Sequence, residues 1–256
     1  MTPSPVLEGY RNKNEFTFGR DAAGLKTAGF QLARYATAGE ARVGSPAGCL
    51  SAPPVALAIA ELVTAFARER DDLSVWDKRS HSGLLRLLTV RNSPTLGQLM
   101  VVVQVSPQAL GGADSEAFAG FKRDLLKLLV DNCYAGSLSQ ALIDKHNADV
   151  AAAAAAASPE TAALVPAPIT APPAAVTALP PHAPADGEIT DKARAFAALY
   201  GHSLASVAVE HYNGVSNVSS AESATVEPLF GGAHIYDLLA GMLFRVDYRS
   251  FFQVRL

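Results

Sequence analysis

From Ala148 to about Ile189 the chain changes character, and that change constrains what the rest can fold into. A seven-alanine run, Ala151 to Ala157, is followed by prolines at 166, 168, 172, 173, 180, 181 and 184. Polyalanine can hold a short helix, but the prolines behind it lack an amide donor and lock the backbone toward extended polyproline geometry. Few large apolar residues are present to offset the entropy of ordering, so the stretch predicts a disordered insert at 148–189 rather than a domain. It separates a block at 1–147 from a block at 190–256.

The first block reads as strands and helices in turn. Glu15 to Gly19 and Phe30 to Tyr35 look like short strands around a turn at Gly24. Pro53 and Pro54 open a helix, where proline is tolerated because its missing donor would have no partner. Val55, Ile59, Leu62, Val63 and Phe66 then recur at spacings of three and four, giving one apolar stripe that ends in the charges of Arg68 to Asp72. Leu84 to Arg91 is apolar on both faces, as a central strand is. Leu99 to Val105 follows the turn Ser93-Pro94-Thr95-Leu96-Gly97, so the two predict a hairpin. Phe118, Phe121, Leu125, Leu128 and Leu129 repeat at helical spacing, with Lys122, Arg123, Asp124 and Lys127 opposite.

The second block is mostly strand. Ala205, Val207, Val209 and His211 alternate with Ser206, Ala208 and Glu210, and Met242, Phe244 and Val246 alternate with Leu243, Arg245 and Asp247 after a turn at Gly241. Phe251, Gln253 and Arg255 face one way, Phe252 and Val254 the other. The expected fold class is α+β: an antiparallel sheet covered on one face by two main amphipathic helices and interrupted by the Ala/Pro-rich insert.

Residue counts exclude several functions. The net charge of -3 gives no global basic field that would announce a nucleic-acid partner, although a local basic patch escapes such a count. The start lacks the apolar core of a secretory signal, and no uncharged apolar run is long enough to cross a bilayer, so an intracellular protein is expected, in cytoplasm, nucleus or an organelle. Six scattered histidines offer no metal-ligand spacing, and no metal is expected. The two cysteines, Cys49 and Cys133, are too few for a disulfide framework and read as small apolar residues. Asp131 and Asn132 beside Cys133, and Gly48 and Leu50 beside Cys49, supply no cation to lower a thiol pKa. No nucleophile elbow, phosphate-binding loop, dinucleotide fingerprint or zinc-protease helix is present.

Two stretches stand out. In Tyr10-Arg11-Asn12-Lys13-Asn14-Glu15-Phe16, cations at 11 and 13 project from one face of an extended segment beside an aromatic. Such a segment can hold a phosphate while Tyr10 stacks on a base; it can equally be a charged edge strand that resists aggregation. In Ser250-Phe251-Phe252-Gln253-Val254 one amide sits among aromatics, either as a satisfied core residue or as a reader of a base edge or a cofactor carboxylate.

These two stretches carry a resemblance. "GYRNKNEFTFG" at 9–19 resembles the "YRNKxEF" segment that opens the catalytic region of eukaryotic RNA uracil-5-methyltransferases. "LLTVRNS" at 87–93 with "GQLMVVVQ" at 97–104 resembles their central hairpin. "SVAVEHYNGVSNV" at 206–218 and "FGGAHIYDLLAGMLFRVDYRSFFQV" at 230–254 follow in the family's order, the last resembling a segment that ends in "FFQVN".

The resemblance implies a tRNA-modifying enzyme that forms 5-methyluridine with S-adenosyl-L-methionine. In that chemistry a cysteine thiolate adds to carbon 6 of the base, which makes carbon 5 nucleophilic, and a carboxylate later serves as base. It implies a cofactor and uridine contact at Gln253, pocket aromatics at Phe251 and Phe252, an RNA-facing region at Tyr10, Arg11 and Lys13, and a buried strand anchor at Arg245. The chain departs from the pattern at Arg255, where the family has asparagine, and at Asn14, often cysteine in relatives. The family's nucleophile, base and glycine-rich cofactor loop have no counterpart before Leu256. The expectation is therefore a fragment that grips tRNA, forms one wall of the pocket, lacks a methyltransferase domain in cis and is inactive alone. The alternative is a non-catalytic RNA-binding or regulatory protein derived from that family.

Overall fold

The computed structural model describes residues 6–32, 40–158, 168, 183–184, 188–215, 223–239, 242–250 and 252. Their fold is α+β. Seven strands form one sheet in the order β3-β2-β1-β4-β5-β6-β7. They are β1 (Lys13–Arg20), β2 (Lys26–Gln31), β3 (Val43–Gly44), β4 (Leu85–Ser93), β5 (Gln98–Val105), β6 (Ser203–His211) and β7 (Thr225–Phe230). A separate hairpin pairs β8 (His234–Leu239) with β9 (Met242–Asp247).

The expected central hairpin is β4 and β5, paired in register from Ser93↔Gln98 to Leu88↔Val103. The strand expected at Phe30 to Tyr35 starts earlier, at Lys26, and residues 33–39 lie outside the described set. The sheet is antiparallel except at one place: β6 lies parallel to β5, with Val101 opposite Val207 and Val103 opposite Val209. The chain leaves β5 at Val105 and must return to the other end of that strand before entering β6. That long return is what makes the pair parallel. The blocks on either side of the alanine- and proline-rich stretch thus share one sheet.

Alternation along the central strands sorts two layers. Phe16, Phe18, Leu88, Val90, Val101, Val103, Val207 and Val209 join the main core under the helices. Helix α1 (Pro54–Arg68) buries Val55, Ile59 and Val63 and starts with Pro53 as its N-cap residue, as the sequence predicts. Helix α2 (Glu116–Cys133) buries Phe118, Phe121, Leu125, Leu129 and Cys133, and its Ser115 cap accepts a bond from the Phe118 amide at 3.1 Å. The opposite face carries Met100, Val102 and Ala208, which pack against Ile235 and Val246 of the β8–β9 hairpin. Both faces of the central strands are covered, which is why they read as continuously apolar.

Two further helices escape the periodicity argument. Helix α3 (Ser139–Ala156) takes up most of the alanine run, and α4 (Asp191–Tyr200) precedes β6. Most of the remaining stretch up to residue 187, and with it the expected disorder, lies outside the described residues. No described helix is long and apolar enough to cross a membrane.

Candidate functional site

The segment before β1 is clipped onto the turn ahead of α1. The Gly9 amide donates to the Leu50 carbonyl at 2.7 Å and the Arg11 amide to the Ser51 carbonyl at 3.0 Å. Gly9 has φ +61°, and a Cβ there would stand 3.3 Å from Pro53 Cα, so a side chain would strain this clip. Alternation turns Asn12 and Asn14 inward, and the Asn14 amide donates to the Arg11 carbonyl at 3.3 Å. Tyr10 and Arg11 are left exposed and Lys13 half-buried. Lys13 reaches Glu15 at 2.7 Å, an ion pair open enough to water to be weak.

Lys13 lies opposite Arg91 of β4, so the two share one face of the sheet. Arg91 is only 1% exposed. Its Nε donates to the Tyr248 carbonyl at 3.0 Å and its Nη2 to the Ser250 carbonyl. Burial pulls its pKa down to about 10, against the opposing pull of Glu15 and Asp247, so the guanidinium stays charged at neutral pH. The same short stretch is pinned again by Glu210. That buried carboxylate accepts from Gln104 at 2.8 Å, from the Tyr248 hydroxyl at 3.0 Å and from Arg249 at 2.8 Å. Burial, then the Glu210 charge, raises the Tyr248 phenol well above its ordinary value. A third pin holds the β8–β9 hairpin, where Asp237 accepts from the Ser93 hydroxyl at 2.7 Å and from Thr95.

Phe252 emerges from this pinned turn half-buried, its ring 5.3 Å from that of Phe244 and packed on the Met100–Val102 layer. Phe251, Gln253 and Arg255 lie outside the described residues. The structure therefore joins, through Arg91, the two ends of the chain that the sequence singles out. Arg91 and Glu210 themselves were missed. Their signal was a charge inside an otherwise apolar strand. Arg245 is corrected: it is not a buried anchor, since its side chain is 60% exposed and lies 3.6 Å from Asp247.

The cysteines differ. Cys133 is buried in the core under α2, and burial pushes its thiol up to about 12. Cys49 is half-buried, and its pKa is lowered, first by the Ser51 hydroxyl 3.4 Å away and in smaller part by the charge of Arg11. The sequence neighbours of Cys49 gave no sign of Arg11, which the chain clip brings near. Among the described residues no group of three His, Cys, Asp or Glu side chains could hold a metal ion.

No protein-family model matches the chain. Over 147 residues, 52% of this chain and 18% of the relative, it is 32% identical to zinc finger CCCH domain-containing protein 24 of Arabidopsis thaliana. Over 127 residues, 49% of this chain and 20% of the relative, it is 33% identical to the tRNA (uracil-5-)-methyltransferase homolog A of Mus musculus. A solved structure, the Pyrococcus abyssi tRNA (uracil-54, C5)-methyltransferase in complex with S-adenosyl-L-homocysteine, is similar at 13% identity and a TM-score of 0.48, covering 98% of this chain and 39% of that one. The chain spans about a fifth of the length of the curated relatives it matches.

Proposed function

We propose that these residues are the RNA-recognition region of an S-adenosyl-L-methionine-dependent tRNA (uracil-5-)-methyltransferase, of the eukaryotic branch. Two things support the reading: the 33% identity over half of the chain to a protein of that description, and the Arg91 bridge. The bridge is the observation that carries it. A buried guanidinium is a demanding way to hold a turn, and here it fixes the main chain just before Phe251, Phe252 and Gln253 while lying beside Lys13. In this account Arg11 and Lys13 hold backbone phosphates, Tyr10 stacks on a base, and Phe251, Phe252 and Gln253 wall the uridine pocket.

Among the described residues a cleft of about 380 Å³ lies between α1, β2 and the turn at 45–48. No aromatic ring lines it, and its Asp21 carboxylate is already held by Arg68 at 2.9 Å and by Thr27. Gln253, which the resemblance places at the cofactor, is outside them. Cys133 is too deeply buried to attack a base. What residues 1–256 are expected to do is bind RNA.

The test is fluorescence anisotropy with unmodified tRNA at several salt concentrations. Replacing Arg11 and Lys13 together by Gln is expected to weaken binding at least about tenfold at 0.1 M salt. It should also flatten the logarithmic salt slope by roughly 1.4, two single-strand phosphate contacts. Unchanged affinity and slope would sink the assignment of this surface.

A further inference from the structure

At the start of β4 a second cluster has a different character. The Arg86 guanidinium lies 3.9 Å from the ring centre of Trp76 and 4.6 Å from that of Tyr212, a cation held between two aromatic faces. The His81 imidazole runs parallel to the Trp76 indole, within 5°, at 6.5 Å between centres. Trp76 is 7% exposed, yet its indole N–H has no acceptor among the described residues.

The loop that carries this cluster holds its one carboxylate on its own backbone amides, beside Arg79. Asp77 is the only carboxylate between residues 73 and 86. It accepts from the amides of Arg79 at 2.7 Å and Ser80 at 3.0 Å, which hold its pKa below the ordinary range. Gly83, at φ +110°, closes the loop where a Cβ would stand 2.1 Å from the Val75 carbonyl. Lys78, Arg79 and His81 therefore crowd the rim, with Arg79 and His81 exposed, and burial beside Arg86 lowers the Lys78 ammonium pKa.

We infer that the 76–82 loop, with Arg86 and Tyr212, is a second RNA contact, which takes a backbone phosphate at Lys78 and Arg79 and a base over the exposed His81 imidazole. The inference rests on the reading of the chain as an RNA binder. Nucleic acid fits better than an acidic peptide, because a base can lie over the exposed imidazole while its phosphate meets the cations, whereas a carboxylate side chain has no ring to stack.

Trp76 is the only tryptophan, so its emission reports this loop and nothing else. Residues 1–256 are titrated with a labelled RNA hairpin bearing uridines in its loop, and anisotropy and Trp76 emission are followed together. The emission is expected to change and to saturate with the anisotropy. The Lys78→Gln/Arg79→Gln double variant should bind about tenfold or more weakly while melting at the same temperature as the parent. RNA binding with silent Trp76 emission and unaltered affinity of that variant would overturn this inference and leave the Tyr10–Lys13 surface standing. Loss in the Lys78/Arg79 variant but not in the Arg11/Lys13 variant would uphold it and sink the other surface. No RNA binding at all would overturn both, and an equal Trp76 response to polyglutamate would overturn the assignment to RNA.

Discussion

Arg91 shows how one side chain can tie two distant stretches of chain into a site. Leucine at this position would keep the bulk but leave the Tyr248 and Ser250 carbonyls without a donor, each at about 1–3 kcal/mol. Arg91→Leu is thus expected to lower denaturant stability by about 2–6 kcal/mol, and hydrogen exchange should accelerate first around residues 248–250. Lysine should rescue little, because one ammonium cannot repeat the two-pronged geometry. The thiols give a second test. Iodoacetamide should label Cys49 in the native protein and reach Cys133 only on unfolding, as mass spectrometry of the two peptides will record. Tyr10, Arg11 and Lys13 were legible as a candidate surface because cations beside an aromatic stand out in a sequence. Arg91, Glu210 and the Arg11–Cys49 proximity were not, since each depends on partners far away along the chain.

Among the elements, those with a stripe or an alternation could be read and those without could not. Helix α1 and helix α2 bury apolar residues at spacings of three and four. Helix α3 buries only Ser139, Ile143 and Val150, and α4 only Ala193, so neither leaves a periodic trace. The parallel placement of β6 was equally hidden, because alternation gives a strand's faces but not its neighbour or its direction. Turns supply a pH test. Asp21 accepts from the amides of Ala23 and Leu25 and from Arg68, which ties the β1–β2 turn to α1. These bonds, led by the Leu25 amide, lower its pKa below 3.8. A depressed folded pKa means stability that is complete above about pH 4 and is lost as pH falls through the folded value. Thermal melts between pH 5 and pH 2 should therefore fall more steeply for the parent than for Asp21→Asn.

On the scale of the whole molecule, helices cover one face of the sheet and a pinned hairpin part of the other, and the second layer orients the chain toward Phe252. The net charge of -3 does not forbid the proposed RNA partner, since cations are grouped at Tyr10–Lys13 and at the 76–82 loop. The claim that these residues recognise RNA beside the Arg91 bridge is tested most directly by crosslinking. Residues 1–256 are irradiated with tRNA transcribed with 4-thiouridine, and the crosslinked peptides are mapped by mass spectrometry. The account predicts crosslinks in the peptide that contains Tyr10 and in the one that contains Phe252, both lost at high salt. Crosslinks confined to the outer faces of α2 and α3, with neither of those peptides modified, would contradict it.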